Sequence, residues 1–466
     1  MAILMRCLFC GLLQDEPAGV KTCQRCGGEL VFEDLETSQK QGSYMTAQME
    51  LDQINAPAGQ IVDRHLLVTL RTPKEVPDEH KAKSESGRTP LSFSIVVDVS
   101  GSMHGIKIEN TKHALRLAAR LLHEGDQVSM TLFSSSAQLL MKPTQIDATN
   151  IKVMESMIEE LRAGGMTALY DGLHLGLTQA KGMHSGNNLT LLLSDGQANV
   201  GETDLEVIGQ RAKMAAESGL VISTLGVGMD YNEALLVEIA AQGRGRFYHV
   251  QTADEIVPYL TGELGEAANV AARDVKIHIH LPKGTALIPL SGMYPCEIVD
   301  SQAAISIGDI PADLEVEIPL RLTLFNGKAD QRLSLNGEIT YHTPAGGALR
   351  MPLNRVTVRF VKEHKFTFDS GVVRPVAARI AEQMGAAQIL QYARAYNKRD
   401  PNEMQSAEQE REKLRQYYQL LDKDTQKRML EKLDRDFGAV SSASPMAKNA
   451  VSNAFMTNRS IRDRKK

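Results

Sequence analysis

Apolar and polar positions follow a block pattern between residues 93 and 268. Short, nearly continuous apolar runs such as FSIVVD, LTLLLSD and LVISTLGVG are separated by stretches with helical spacing, including 149–162 and 168–182. Strands of this kind, joined by helices, are typical of a mainly parallel sheet covered on both faces. The pattern therefore predicts a doubly wound, Rossmann-like α/β domain. Within it, TDLE predicts a capping box that opens a helix, with Thr203 as the N-cap.

The pattern changes after residue 270. Residues 270–362 contain short strands separated by Gly, Pro and Asn turns, which indicates an antiparallel β-sandwich. A further strand is predicted within 61–73, and it needs partners because a lone strand is not stable. We expect it to pair into the same sandwich, so that the α/β domain is inserted in or next to one β domain.

The remaining segments differ in composition. Residues 37–60 are polar with weak periodicity, which predicts a linker. Residues 374–437 carry apolar residues at helical spacing, and Asp400 followed by Pro401 predicts a helix start. This helical region suits either internal packing or docking of a partner. Residues 438–466 lack a sustained apolar pattern and end in RSIRDRKK, so we expect a flexible basic tail.

Composition and charge narrow the class of protein. The chain has 466 residues, of which 42% are hydrophobic and 23% charged, as in ordinary globular proteins. Its formal net charge of -5 is unlike the basic surplus of most proteins that bind nucleic-acid backbones. No apolar run reaches the ~18 residues of a membrane helix, and the start MAILMRCLFCG lacks the features of a signal peptide. We therefore expect a cytoplasmic protein.

Four cysteines near the start have the spacing of a metal site. Cys7, Cys10, Cys23 and Cys26 form C-x2-C-x12-C-x2-C, and glycines follow both pairs. Two tight turns that carry four thiolates suit tetrahedral Zn²⁺. Two disulfides are the alternative, but they belong to secreted proteins. We predict a zinc ribbon over residues 1–36, and its balanced charge favours a structural or protein-docking role.

Oxygen-bearing side chains follow the ends of two predicted strands. Asp98, Ser100 and Ser102 come after the first strand of the α/β domain, and Asp195 comes after a later one. A third loop, RAGGMTAL, places Thr167 just before a helix. Ligands of open α/β sheets bind at the carboxyl ends of the strands, so we expect these side chains to meet there. Two carboxylates and three hydroxyls predict a site for a hard divalent cation.

These three segments resemble the metal-ion-dependent adhesion site of the von Willebrand factor A (vWA) domain, and LLLSDGQANVGETD resembles bacterial members of that family. The resemblance implies that Ser100, Ser102 and Thr167 ligate the metal. It implies that Asp98 and Asp195 bind the metal directly or through water, and that an acidic side chain of a partner protein completes the shell. The expected ion is Mg²⁺, with Mn²⁺ or Ca²⁺ as alternatives.

A binding role is therefore expected rather than catalysis, since Ser100 lacks the surroundings of a hydrolase nucleophile. We predict a bacterial signalling or assembly scaffold whose partner exposes an Asp or Glu. The resemblance also allows a Ser/Thr kinase or PP2C-type phosphatase as partner. An alternative is an accessory subunit of a separate AAA+ ATPase of the MoxR or chelatase type, because this chain has no P-loop. A nucleic-acid-binding regulator that uses the zinc ribbon is a further alternative.

Overall fold

The computed structural model describes residues 2–7, 13–17, 30–32, 44–81, 90–183, 187–195, 197–228, 232–250, 253–441, 445–458 and 461–463. At the N-terminus β1 (Ala2–Cys7), β2 (Leu13–Pro17) and β3 (Leu30–Phe32) form an antiparallel sheet in the order β2-β1-β3. Three of the predicted zinc ligands, Cys10, Cys23 and Cys26, lie outside the described residues, and Cys7 is described only by its backbone. The zinc ribbon therefore stays a prediction.

The predicted linker over residues 37–60 is wrong from residue 46 onward. β4 (Thr46–Leu51) and β5 (Asn55–Pro57) lie inside it, and β6 (Ile61–Arg71) follows. The buried apolar residues of this segment are separated by polar ones, so the sequence shows no clear strand pattern. These buried residues are Met45, Met49, Leu51, Ile54 and Ala56. Their burial in a larger core outweighs the polar composition of the segment.

The α/β domain contains a six-stranded sheet in the order β12-β11-β10-β7-β8-β9. Its strands are β7 (Leu91–Asp98), β8 (Gln127–Phe133), β9 (Ala137–Gln145), β10 (Asn187–Ser194), β11 (Val221–Val227) and β12 (Arg244–Val250). All neighbouring strands are parallel except β8 and β9, which are antiparallel. The prediction of a mainly parallel sheet is confirmed.

Helices cover both faces of this sheet. They are α1 (Ile106–Leu121), α2 (Ala148–Glu159), α3 (Leu169–Lys181), α4 (Leu205–Glu217), α5 (Glu233–Gln242) and α6 (Ala253–Ala268). Ile95 and Val97 of β7 belong to one apolar core with α1, α2 and α6, whereas Val96 belongs to a second core with α3, α4 and α5. Successive side chains point to opposite faces, so a strand covered twice is apolar throughout.

The start of α4 corrects one detail of the sequence analysis. Asp204, rather than Thr203, is the N-cap, because its carboxylate accepts hydrogen bonds from the amides of Glu206 and Val207. Both residue types are favoured at this position, and a carboxylate next to the positive end of a helix has the additional advantage of its charge.

Two further sheets lie outside the α/β domain. They use β13 (Val270–His280), β14 (Thr285–Pro289), β15 (Cys296–Val299), β16 (Gln302–Pro311), β17 (Leu314–Phe325), β18 (Arg332–His342) and β19 (Ala348–Val361). The strand orders are β15-β16-β13-β18-β19-β5 and β14-β17-β6-β4. β6 pairs antiparallel with β17 over its whole length, so strands from before and after the α/β domain share one sheet.

Buried side chains of both sheets belong to a single apolar core. Leu66 of β6 and Leu320 of β17 are in the same cluster as Ile277 of β13 and Ile339 of β18. The stacking of these sheets as a β-sandwich stays a prediction.

The C-terminal region is helical. It contains α7 (Arg374–Lys398), α8 (Pro401–Tyr417), α9 (Lys423–Ser441) and α10 (Pro445–Asn458), and β20 (Ile461–Asp463) pairs with β17. Asp400 caps α8 as predicted, accepting hydrogen bonds from the amides of Asn402 and Glu403. Among the described residues no helix is long and apolar enough to cross a membrane.

The predicted flexible tail over residues 438–466 is wrong for 438–441, which belong to α9, for 445–458, which form α10, and for 461–463, which form β20. Small apolar residues of α10 are buried at helical spacing, and Phe455 is 0% exposed. Its ring meets that of Phe247 in β12 edge-to-face, with centroids 6.2 Å apart. Packing of this kind stabilises a helix that its own sequence only weakly favours.

Candidate functional site

The loop after β7 and the loop before α3 are joined by their backbones at the carboxyl edge of the α/β sheet. Gly101 N donates to Gly165 O at 2.9 Å, and Gly164 N donates to Val99 O at 2.8 Å. Gly165 has φ +85°, and a Cβ there would lie 2.8 Å from Ser135 Oγ. Glycine is therefore required at this position, and the GG of RAGGMTAL serves the close approach of the two loops.

The Thr167 and Asp195 segments are fixed by further hydrogen bonds. Thr167 N donates to Asn199 Oδ1 at 2.8 Å, and Asn199 N donates back to Thr167 O at 3.1 Å. Asn232 N, at the start of α5, donates to Asp195 O at 3.0 Å. Because β10 runs parallel to β7 and next to it, Asp195 leaves the sheet beside Asp98.

Asp98 lies at the bottom of this crevice and is buried. Its Oδ1 accepts a hydrogen bond from Ser100 N at 2.8 Å, and its Oδ2 accepts one from Ser194 Oγ at 2.6 Å. Burial raises the pKa of the Asp98 carboxyl to about 6; hydrogen bonds from Ser100 and Ser194 oppose this rise, and the charge of Asp195 adds to it. The two carboxylates are thus close enough to repel each other.

The hydroxyls lie on the same edge. Ser100 Oγ is 3.1 Å from Ser102 Oγ, so these two side chains face each other. Ser100 and Thr167 are buried, whereas Ser102 is exposed. The structure therefore brings Asp98 into contact with Ser100 and Ser100 into contact with Ser102, and Thr167 joins them through the loop contacts. Asp195 joins them through β10.

Asp195 has an unusual environment for a buried carboxylate. Its side chain is 0% exposed, and Oδ2 lies 3.3 Å from Nζ of Lys107. Within the part of the chain that the structure describes, its Oδ1 has no hydrogen-bond partner. A buried polar atom without a partner costs about 1–3 kcal/mol and points to a missing ligand.

Lys107 was missed by the sequence analysis. It lies in the first turn of α1, directly after the Ser102 loop. The signal was its position, because a helix that follows the carboxyl end of a strand begins at the edge where ligands bind. A lysine there is usually solvent-exposed, whereas this side chain is 13% exposed.

The donor set suits a hard divalent cation. Carboxylate and hydroxyl oxygens are the ligands that Mg²⁺, Mn²⁺ and Ca²⁺ prefer, and the unpartnered Oδ1 of Asp195 supplies a free lone pair. Among the described residues no group of three or more His, Cys, Asp or Glu side chains is arranged for a metal. This crevice differs from such groups because hydroxyls make up most of its donors.

The observed fold and the comparison with protein-family models indicate the same kind of domain. A mainly parallel α/β sheet with further sheets and helices is vWA-like. Residues 94–262 match the family model of the von Willebrand factor type A domain, so the chain carries a vWA domain.

Relatives match over parts of their length. The chain is 29% identical to the uncharacterized protein sll0103 of Synechocystis sp. over 277 residues, which are 57% of this chain and 65% of that protein. It is 32% identical to the uncharacterized protein YfbK of Escherichia coli over 40% of this chain and 32% of that protein. The chain thus spans less than two thirds of either relative.

Two solved structures extend the likeness of fold beyond the vWA domain. A von Willebrand factor type A protein from Catenulispora acidiphila covers 91% of this chain and 99% of its own, with a TM-score of 0.65 and 16% identity. The ArnB paralog VWA2 from Sulfolobus acidocaldarius covers 90% of this chain and 98% of its own, with a TM-score of 0.55 and 16% identity. At this identity the likeness shows the fold alone.

Proposed function

We propose that the crevice at the carboxyl edge of the vWA sheet binds a divalent metal ion and, through it, an acidic side chain of a partner protein. A vWA domain implies a protein-interaction module, and such modules often depend on a metal. The observation that carries the proposal is the unpartnered Oδ1 of buried Asp195, close to a second buried carboxylate. The role is binding rather than catalysis.

In this proposal the protein's own oxygens hold the ion. Ser100, Ser102 and Thr167 offer hydroxyls, and Asp98 and Asp195 bind directly or through water. When bound, the metal supplies the positive charge that attracts a partner's carboxylate. Because Mg²⁺ prefers six ligands and keeps several waters, a position for the partner remains open.

The experiment measures metal binding and partner binding separately. Mg²⁺ and Mn²⁺ are titrated calorimetrically into the wild type, Asp195→Asn and the control Asp147→Asn. Asp147 is an exposed N-cap of α2, and Asn caps a helix equally well, so the control removes the same charge without disturbing the fold. We expect the wild type and the control to bind metal and Asp195→Asn to lose binding.

The same proteins are then immobilised and exposed to cell lysate in Mg²⁺ or in chelator, and captured proteins are identified by mass spectrometry. A partner should be retained in Mg²⁺ by the wild type and the control, and released by chelator. Equal capture by wild type, Asp195→Asn and chelator-treated protein would contradict recognition through the metal. A captured kinase, phosphatase or AAA+ ATPase would place the protein in signalling or in an ATP-driven assembly.

We also propose one structural Zn²⁺ at Cys7, Cys10, Cys23 and Cys26. The spacing of the four thiols supports it. Elemental analysis of protein purified under reducing conditions should find one zinc per chain, and Cys23→Ser should lose it. Zinc-free wild-type protein would overturn this proposal.

A further inference from the structure

The side chain of Lys107 is fixed beside Asp195 by its contacts with neighbouring residues. Its Nζ lies 3.3 Å from Asp195 Oδ2, and its side chain is 13% exposed. Its stem crosses Gly228, just after β11; a Cβ at Gly228 would lie 2.7 Å from Lys107 Cε. Gly228 also has φ +90°, so the backbone there both favours glycine and leaves room for the lysine stem. The ammonium is therefore directed to Asp195 by packing as well as by charge.

The two oxygens of Asp195 are used differently. Oδ2 faces the ammonium of Lys107, and Oδ1 has no partner among the described residues. A divalent ion bound at Asp195 would thus share one carboxylate with a positive charge. In a desolvated crevice, charges this close interact far more strongly than on the surface.

A charge count shows the consequence. Asp98 and Asp195 contribute two negative charges, and Lys107 contributes one positive charge. Without metal the cluster carries one net negative charge. With a divalent ion it carries one net positive charge, whereas without the lysine the loaded cluster would be neutral.

We infer that Lys107 is an internal cation that competes with the divalent metal for Asp195, lowers the affinity of the site for metal, and gives the metal-loaded site the positive charge that selects an anionic ligand. The inference rests on the proposed function of the same crevice. Lys107 is a positioning and tuning residue. It neutralises Asp195 when metal is absent, and it repels the ion when metal is present.

The test compares Lys107→Met with Lys107→Arg and with Lys152→Met, a control that removes an exposed lysine from α2. Mn²⁺ is titrated into each 466-residue protein at about pH 7.5, where the carboxylates are charged, and binding is measured by calorimetry. We expect Lys107→Met to bind Mn²⁺ about fivefold or more tightly than the wild type. Lys107→Arg and Lys152→Met should stay within about twofold of the wild type, because both keep a cation beside Asp195.

Thermal unfolding in chelator gives a second readout that does not depend on partner binding. Lys107→Met leaves Asp195 buried without its counter-charge, so it should melt below the wild type in chelator and gain more from added Mn²⁺. If Lys107→Met does not fold, Lys107→Gln keeps a polar end of similar length and should show the same two changes. A purely structural lysine would lower melting without tightening Mn²⁺ binding, and this result would overturn the inference.

The outcomes separate the two proposals. Equal Mn²⁺ affinity in the wild type and Lys107→Met overturns the role of Lys107 and leaves the metal site intact. Mn²⁺ binding by Lys107→Met alone supports the competition and contradicts metal loading of the wild type. No binding by either protein overturns both proposals.

Discussion

Asp126 at the amino edge of the vWA sheet and Asp195 at its carboxyl edge are both buried, but their carboxylates have different hydrogen-bond partners. At the amino edge, Asp126 precedes β8; its Oδ1 accepts a hydrogen bond from Leu91 N at 2.9 Å, and its Oδ2 accepts one from His123 N at 2.8 Å. At the carboxyl edge, Asp195 has one oxygen beside an ammonium and the other without a partner among the described residues. Burial alone therefore does not indicate function.

The partners explain the difference. Backbone amides fix Asp126 in place and tie the start of β7 to the turn before β8, so its carboxylate has a structural role. Asp195 keeps one acceptor for something that the chain itself does not supply. Buried polar groups are mostly satisfied in folded proteins, so a carboxylate oxygen without a partner is informative at the edge of the sheet where ligands bind. The following predictions separate the two roles, from the largest expected effect to the smallest.

Asp126→Ala should cause the largest loss of stability. It leaves the buried amide of Leu91 and the partly buried amide of His123 without acceptors, at a cost of about 1–3 kcal/mol each. We expect the free energy of unfolding to fall by about 2–4 kcal/mol in a denaturant titration. The folded fraction should still bind Mg²⁺ as the wild type does. A loss under about 1 kcal/mol would show that Asp126 is not structural in this sense.

Asp195→Asn should have the reverse profile. Without metal it should lose about 1–2 kcal/mol, less than Asp126→Ala, because Lys107 loses its counter-charge while the amide keeps the size of the side chain and an oxygen that can still accept from Lys107. In Mg²⁺ at one hundred times its Kd, the wild type should gain about 2.7 kcal/mol and the variant almost nothing. Thermal melting with and without Mg²⁺ measures both effects. An equal Mg²⁺ gain in both proteins would remove Asp195 from the site.

Protonation of Asp98 should change the stability of the metal-free protein as well as its affinity for metal. Burial raises the pKa of Asp98 to about 6, above the ordinary value of an aspartate. The metal-free folded state therefore holds this proton more tightly than the unfolded state does. Stability from Asp98 is present at low pH and is lost as pH rises from about 4 through 6.

Metal binding has the opposite dependence on pH, because it requires the charged carboxylate. We expect the affinity for Mg²⁺ to fall about tenfold for each pH unit below 6, measured by calorimetry between pH 5 and 7.5. Asp98→Asn should abolish this proton-linked change along with most of the binding. A pH-independent affinity in the wild type would mean that Asp98 does not contact the metal or its waters.

The sequence was sufficient to predict the α/β domain and the edge of the sheet at which the proposed ligands meet. Strands covered on both faces are apolar at every position, as in β7, and this pattern is visible without any partner. The carboxyl-edge rule then placed Asp98, Ser100 and Asp195 on one edge of the sheet. Lys107 was not predicted, because its long side chain contacts Asp195, which is 88 residues away along the chain.

The linker and the tail were mistaken for a related reason. In β4 the buried Met49 and Leu51 alternate with polar residues, and in α10 half of the side chains described as buried are alanines. Neither segment buries enough apolar surface to be stable alone, so local composition resembles a flexible chain. Both are stabilised by cores supplied by distant parts of the protein, and a single sequence does not show those contacts.

The smallest expected effect on stability compares two buried threonines of the same domain. Thr224 in β11 donates a hydrogen bond from its hydroxyl to Leu236 O at 2.9 Å, so Thr224→Ala should cost about 1 kcal/mol and leave Mg²⁺ affinity unchanged.

Thr167 is held by its backbone, through the hydrogen bonds with Asn199, and these survive in Thr167→Ala. That variant should therefore lose no more than about 0.5 kcal/mol of stability. If the Thr167 hydroxyl is a metal ligand, Mg²⁺ affinity should nevertheless fall severalfold, and Thr167→Ser, which keeps the hydroxyl, should restore it. Calorimetry and denaturant unfolding on these three variants decide the point. A Thr167→Ala protein that binds Mg²⁺ normally would exclude this hydroxyl from the metal site and leave Asp98, Asp195 and the two serines to hold the ion.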